Sequence, residues 1–411
     1  MAAVPQSPSI LSFEDARHVV EEHAAQVQPT QLESVELLAS VGRVLGKAVA
    51  ADRDFPPFRR AMRDGYAVRA TDLAQLPATL EVIAEIKAGI APRDVPTQIR
   101  PGQAAAIMTG APTPPGADAV VMVEYTSLHG NQVTVTRGVT SGDNVVPVGS
   151  EARQGAVLLP PGTQIDYSAI AVLASVGQDS LRVFRRPQVA ILATGDEIVE
   201  VNTQPGPYQI RNSNSYSLAA QVQAAGGDPK VLGVARDEPQ FLRDRIQQGL
   251  QCDLLLLTGG VSMGKYDLVE QVLAQCGAEF FFTGAQIQPG RPIVFGRAQG
   301  KYFFGLPGNP VSTMVTFELF AKPLLEALSG MAARKLIFLH ALLKSEIKTK
   351  TGLKRFLPGV LSGEFERAQV ELAGWHGSGD VASAARSNCY IVIPADRERI
   401  AAGEWVAVMV R

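Results

Sequence analysis

The sequence predicts an α/β plus β multidomain fold, and three observations carry that prediction. Its 411 residues exceed one ordinary core, since domains run to roughly 100–200 residues. From about residue 187 to 330, apolar strand-like runs alternate with amphipathic helical runs, the pattern of a parallel sheet with helices on both faces. The stretches on either side, from about 50 to 147 and from 335 onward, instead show short β-like runs divided by Pro and Gly turns.

In chain order, "SFEDARHVVEEHAAQV" (12–27) opens with Ser12 as a helix cap and an acidic first turn, then sets Ala16, Val19, Val20 and Ala24 at helical spacing. An amphipathic helix is expected there. "TLEVIAEI", "AAIMTG", "AVVMVEYT" and "QVTVTRGV" then read as strands of a β-rich domain over 51–147. "GAVLLPPGTQIDYSAIAVLASVG" reads as a strand, a Pro-Pro-Gly turn and a short helix, which groups 148–183 with 1–50 as an N-terminal helical and linker domain. Over 184–332, "QVAILATG", "KVLGVA" and "CDLLLLTGG" are strands, while "SYSLAAQVQAAGG" and "PQFLRDRIQQGL" are helices. "FLHALLKSEI", "YIVIPA" and "EWVAVMV" return to alternating strands and predict a small β-barrel or sandwich over 335–411.

Composition removes several classes of function. A hydrophobic content of 46%, a charged content of 19% and a net charge of −2 give no electrostatic bias toward nucleic acid or membranes. Without a signal-like N-terminus or a long apolar run, the expected location is the cytoplasm. Cys252, Cys276 and Cys389 show no Cys-x-x-Cys spacing and are expected to be buried free thiols. Five scattered histidines argue against an imidazole-rich site, so a metal would be held by oxygen, as Mg²⁺ is.

The chemistry gathers at strand ends, where open α/β sheets bind their ligands. "TGDE" (194–197), "RDEP" (236–239) and "TGGVSMGKYD" (258–267) each deliver a carboxylate: Asp196 with Glu197, Asp237, and Asp267. Singly, such acids serve as helix caps about as often as ligands; three on one sheet edge favour a site for an Mg²⁺-phosphate group. Gly259, Gly264 and Lys265 imitate a P-loop, but Tyr266 stands where the pattern needs Ser or Thr. Asp267 takes over the metal in this reading, and Lys265 is incidental. "GLPGNPVS" (305–312) makes a tight turn into a helix, and "IQPGRPIVFG" (287–296) holds Arg291 between prolines, a geometry suited to an oxyanion. "PPFRRAMRDGYAVRATDL" (56–73) crowds Arg59, Arg60 and Arg63 around Asp64, and "IMTGAPTPPGADAVV" (107–121) is a second polar turn; from the residues alone both read slightly better as structural β-turns. A Gly-x-Gly-x-x-Gly fingerprint is not present.

"DGYAV" (64–68), "MTGAP" (108–112), "TGDE", "GGVSMG" (259–264), "QPGRP" (288–292) and "GLPGNPVS" together, in this order along the chain, resemble the molybdopterin molybdenumtransferase family, the molybdenum insertases that include the E domain of gephyrin. The resemblance implies an elongated subunit with a three-layer αβα molybdopterin-binding domain, a β-rich insert domain, an N-terminal helical segment and a C-terminal β-barrel. It implies a homodimer with the active cleft at the subunit interface, and contact with the adenylyltransferase that supplies the pterin. The implied reaction inserts molybdenum from molybdate into adenylylated molybdopterin with Mg²⁺-dependent release of AMP. Carried over by motif, Asp237, Asp267 and Glu197 hold Mg²⁺, while Asp64 and Thr109 act from the partner side. Gly259, Gly260, Ser262, Gly264, Asn214, Pro307, Gly308, Asn309, Arg291 and Pro292 bind the pterin and the oxyanion. Three departures stand out: Gln288 and Arg291 replace lysines common in relatives, Glu151 replaces an aspartate, and Lys354 and Arg355 both offer the barrel's basic residue.

Overall fold

A computed structural model of the chain describes residues 9–236, 238–260, 268–364 and 366–411. These gather into two compact units, one made of the residues up to Gly46 with Pro161–Tyr167 and Ser180–Arg411, the other of Lys47–Pro160 with Ser168–Asp179. Eight α-helices occur among the described residues: α1 (Phe13–Gln26), α2 (Tyr167–Ser175), α3 (Asn214–Ala224), α4 (Pro239–Gly249), α5 (Leu268–Gln275), α6 (Pro310–Thr316), α7 (Lys322–Leu328) and α8 (Val381–Arg386). None is long and apolar enough to cross a membrane.

The smaller unit is built on a six-stranded sheet in the order Ala119–Met122, Gly65–Val68, Gln103–Ile107, Ala78–Ile86, Gln132–Val135, Thr126–His129. Side chains alternate across it with the period of two that strands impose. Ala67, Ile86, Ala105 and Val120 enter one core; Tyr66, Val68, Leu80 and Val121 enter the other. Gly65 is a steric necessity, because a Cβ there would lie 1.8 Å from the Val121 carbonyl oxygen.

The larger unit contains the α/β layers. Its sheet runs Asp228–Ala235, Gln188–Thr194, Leu254–Thr258, Lys301–Leu306, Val294–Ala298, Glu279–Phe282. The first four strands pair in parallel, and the last two pairings are antiparallel, where the sequence pattern predicted a parallel sheet. Local geometry explains the difference. Gln299 and Gly300, both at positive φ (53° and 78°), form a two-residue hairpin turn, too short for any parallel crossover. Alternation sorts the central strands onto two helical layers. Val189, Ile191, Leu254, Leu256 and Phe304 face α1, α3, α6 and α7, whereas Ala190, Leu192, Leu255, Leu257 and Phe303 face α4 and α5.

Helix α1 starts as expected, with the Ser12 side chain accepting from the Asp15 amide at 3.0 Å. It also repairs a fault elsewhere. Pro323 lacks the N–H that would bond the carbonyl four residues back, on Leu319, and the helix between α6 and α7 widens to π over Phe317–Ala321. Arg17 of α1, buried and paired with Glu21 at 2.7 Å, donates its Nη1–H to the Leu319 carbonyl.

At the C-terminus, strands Lys354–Ser362, Gln369–Leu372, Leu339–Leu343, Trp405–Val410 and Cys389–Ile393 pair in that order. The fifth strand pairs again with the first, closing a five-stranded barrel around Ala341, Leu343, Leu357, Val370, Ile391 and Val408. A sixth, short strand joins it from outside. Ile287–Gln288, from the α/β layers, pairs in parallel with Lys354–Arg355.

Candidate functional site

The parallel register brings strand ends together. Thr194 lies opposite Ala235, and Ala193 opposite Thr258, so the segments beginning at 195, 236 and 259 leave one edge on neighbouring strands. Thr258 in turn lies opposite Leu306, where the Pro307–Asn309 turn begins. Two threonines brace this edge. Thr258 Oγ1 donates to the Pro307 carbonyl at 3.1 Å, and Thr313 Oγ1 donates to the same carbonyl at 2.5 Å.

Asn214, at the start of α3, ties the second element in. Its Nδ2 donates to Thr258 Oγ1 at 2.9 Å and to the Gly308 carbonyl at 2.7 Å. Since a carbonyl can only accept, the amide orientation is fixed, and Asn214 Oδ1 is left buried without a hydrogen-bond partner. Thr194 Oγ1 is likewise buried and unpartnered. An unmet buried polar atom costs about 1–3 kcal/mol, so two at one sheet edge make that edge a candidate ligand site.

Gly259 and Gly260, at φ 87° and 63°, fold tightly over Thr194. A Cβ on Gly259 would sit 2.4 Å from the Thr194 carbonyl oxygen, and one on Gly260 would sit 2.6 Å from Thr194 Oγ1. Both glycines are therefore required by the close approach of the turn to the preceding strand. Gly308 also lies close, with a Cβ there 3.5 Å from Gly259 Cα. Asn309 caps α6 through its backbone: its carbonyl accepts from the Thr313 amide at 3.0 Å, and Pro310 occupies the first turn.

Glu197 is exposed in the turn after the 188–194 strand, its carboxylate folded against Gly195, where a Cβ would meet Oε2 at 2.6 Å. Its carbonyl holds Ile210 N at 2.9 Å. Arg291 is exposed and Pro292 half-buried, in a loop whose ends are clasped by the Arg291 carbonyl accepting from Ala285 N and Ile293 N at 3.0 and 3.1 Å. Gly290 of this loop presses on α6, where a Cβ would lie 2.4 Å from Thr316 Cγ2.

Asp64 and Thr109 belong to the smaller unit, where Gly65 lies opposite Ile107 across the sheet. Thr109 donates to Asp64 Oδ1 twice, from its amide at 2.7 Å and its hydroxyl at 2.9 Å. These bonds hold the Asp64 carboxyl below its ordinary pKa, the amide bond contributing most. Glu151 ion-pairs with Arg60 at 2.6 Å, which ties the arginine-rich segment to the following turn.

Asp237, Ser262, Gly264, Lys265 and Asp267 lie outside the described residues. Among the described residues no group of three or more His, Cys, Asp or Glu side chains could hold a metal. The structure thus joins Asn214, Gly259, Gly260, Pro307, Gly308 and Asn309 at one edge, and sets Arg291 and Pro292 on a loop packed against α6. Sequence reasoning passed over Thr194, Thr258 and Thr313. The signal was present: Thr-Gly closes both central strands, at 194–195 and 258–259.

Three family profiles match the sequence: "MoeA N-terminal region (domain I and II)" over residues 11–177, "Probable molybdopterin binding domain" over 190–327, and "MoeA C-terminal region (domain IV)" over 340–410. Among similar proteins, the molybdopterin molybdenumtransferase of a Nostoc species is 37% identical, with 92% of this chain and 88% of the relative covered. That of Bacillus subtilis is 34% identical, covering 92% and 90%. The crystal structure of the molybdopterin biosynthesis MoeA protein from Pyrococcus horikoshii superposes with a TM-score of 0.79 at 30% identity, covering 98% of this chain and all of that one.

Proposed function

Because the chain belongs to the molybdopterin molybdenumtransferase family, we propose that its α/β sheet edge binds adenylylated molybdopterin and that the protein inserts molybdenum from molybdate, releasing AMP. One observation supports this reading above the others: the buried, unpartnered Asn214 Oδ1 and Thr194 Oγ1 beside the glycine turns. Asn214 Oδ1 accepts an N–H from the pterin part of the substrate. Thr194 Oγ1 donates to a phosphoryl oxygen, beside N–H groups of the 259–260 turn. Arg291 offers a planar, bidentate donor set to molybdate.

Carboxylate oxygens are the donors Mg²⁺ takes. Glu197 follows the strand that lies between the two from which the segments carrying Asp237 and Asp267 depart, and these three residues would hold the metal. Bound there, Mg²⁺ would neutralise phosphate charge. Asp64 and Thr109 act in the same reaction from a second copy of the chain, in the homodimer that the resemblance implies. Asp64 is suited to that role as a carboxylate held ionised by Thr109.

The test is reconstitution. Purified protein with adenylylated molybdopterin, Mg²⁺ and molybdate should activate a cofactor-free molybdoenzyme and release AMP. Asp267→Ala should abolish AMP release with the fold intact, while Lys265→Ala should reduce it only slightly. Brisk ATP hydrolysis without pterin, with both substitutions equally damaging, would replace this reading with a P-loop enzyme.

A further inference from the structure

Between Glu197 and Asn214 the chain leaves the sheet edge and comes back to it. Ile198–Val199 and Ile210–Arg211 pair in parallel, with the Ile210 amide donating to the Glu197 carbonyl at 2.9 Å and the Asn212 amide to the Val199 carbonyl at 2.8 Å. Residues 200–209 are therefore a compact surface loop with clasped ends, a form that often carries function. The loop is braced from within. The Gln209 amide donates to the Gly206 carbonyl, and Gln209 Oε1 accepts from the Gly206 amide, both at 3.1 Å. Arg211 donates from Nε to the Thr203 carbonyl at 3.1 Å and from Nη2 to Gln204 Oε1 at 3.2 Å. On this frame the apolar side chains stand outward: Tyr208 is 93% exposed, Ile210 58% and Val201 49%. Large apolar groups gathered on one braced loop mark a binding surface. Arg211 is exposed too, and its two acceptors are neutral, so its charge has no carboxylate partner among the described residues.

Strand order decides which part of the substrate this loop meets. Asn214, the acceptor for the pterin, is held at the ends of the third and fourth strands through Thr258 and the Gly308 carbonyl. Thr194, the donor to a phosphoryl oxygen, closes the second strand, and the loop follows directly after it. Glu200 of the loop lies against the first strand, its Oε1 3.5 Å from where a Cβ on Gly233 would stand. Pterin, phosphoryl groups and loop thus succeed one another along the edge. With strands about 4.8 Å apart, the fourth and the first are about 14 Å apart, a span that suits a pterin joined through a diphosphate to a nucleoside. The nucleoside end then falls beside the loop.

We propose that the 198–211 loop receives the adenosine end of the substrate, with Tyr208 stacking on the purine and Arg211 meeting the adenylyl phosphate. Resting on the reading of this edge as the site of adenylylated molybdopterin, it adds a direction: pterin toward Thr258 and Gly308, nucleotide toward Thr194 and Ala235. Stacking uses the face of a base and not its hydrogen-bonding edge, so Tyr208 recognises a planar base as such. AMP keeps both the base and the phosphate, and it stays bound to the loop after the anhydride is broken.

Equilibrium binding of AMP in the presence of Mg²⁺ tests this, with ribose 5-phosphate, which has the phosphate without the base, as the control. Tyr208→Ala should weaken AMP about tenfold, the loss of one base-stacking contact, and leave ribose 5-phosphate unchanged. Tyr208→Phe keeps the ring and should keep the affinity. Arg211→Gln should weaken AMP and ribose 5-phosphate alike. A ring so exposed contributes little to the fold, so thermal unfolding of both Tyr208 variants should match the wild type. Wild-type AMP affinity that Tyr208→Ala leaves unchanged would overturn the stacking role while the functional reading stands. A Tyr208→Ala protein that loses affinity for molybdopterin itself and not for AMP would reverse the direction and overturn it as well. A wild-type protein that binds neither AMP nor adenylylated molybdopterin would overturn the functional reading and this inference together.

Discussion

Asp64 keeps its charge because Thr109 donates to one of its oxygens from two atoms. Its depressed pKa means that the contribution of these bonds is present at neutral pH and is lost as pH falls below the ordinary carboxyl value of 3.8. Thr109→Val removes the hydroxyl bond and keeps the amide bond. The Asp64 pKa should therefore rise part of the way back, moving the acid limb of the pH–activity profile upward; a superimposable profile would show that Asp64 does not set that limb. Thr194 makes a sharper case. Thr194→Val removes an unpartnered hydroxyl at nearly constant volume, so the free protein should gain about 1 kcal/mol while pterin affinity falls about tenfold. Melting and binding measured together test this, since a purely structural threonine would not move them in opposite directions. Burial raises all three cysteine thiols, Cys389 to about 11, so iodoacetamide should label the unfolded protein and leave the native one unmodified at neutral pH.

Among the elements, the α6–α7 helix shows how a local rule breaks and is mended from a distance. Pro323 frees the Leu319 carbonyl, and Arg17 supplies the missing donor from another helix. Arg17→Met keeps the apolar stem and removes the donor, and should cost about 1–3 kcal/mol, read as a lower denaturant midpoint at unchanged slope. Proline inside the 310–328 helical run was visible in the sequence; its rescuer, more than three hundred residues away in the chain, was not, because no local pattern encodes a tertiary hydrogen bond. The Ser12 cap was legible for the opposite reason: its partner is three residues away. Strand direction divides the same way. Buried runs at 188–194 and 254–258 announce strands, but the antiparallel turn at 299–300 rests on two positive φ angles that only the folded chain displays.

For the molecule as a whole, the βα alternation and the Pro/Gly-punctuated β regions were enough to give the fold class, because layer packing follows directly from side-chain periodicity. The motif residues at the sheet edge were legible since glycine and proline turns carry their geometry with them. Threonines that brace the edge were overlooked because a hydroxyl is common at strand ends, and only burial without a partner distinguishes Thr194 from its many bland equivalents. Closure of the barrel came from the resemblance, since the strand pattern left a sandwich open, and the extra strand that Ile287–Gln288 adds to it was not foreseen. That added strand bears on recombination among relatives. The 332–338 stretch looks like a natural crossover point for exchanging the C-terminal part as a cassette, yet the exchanged piece would arrive with its 354–355 edge facing a 287–288 segment from a different parent. Chimeras joined near 335 should be intact in both halves and mismatched at that seam. Moving the junction upstream of residue 284, so that both strands are inherited from one parent, should restore the fit.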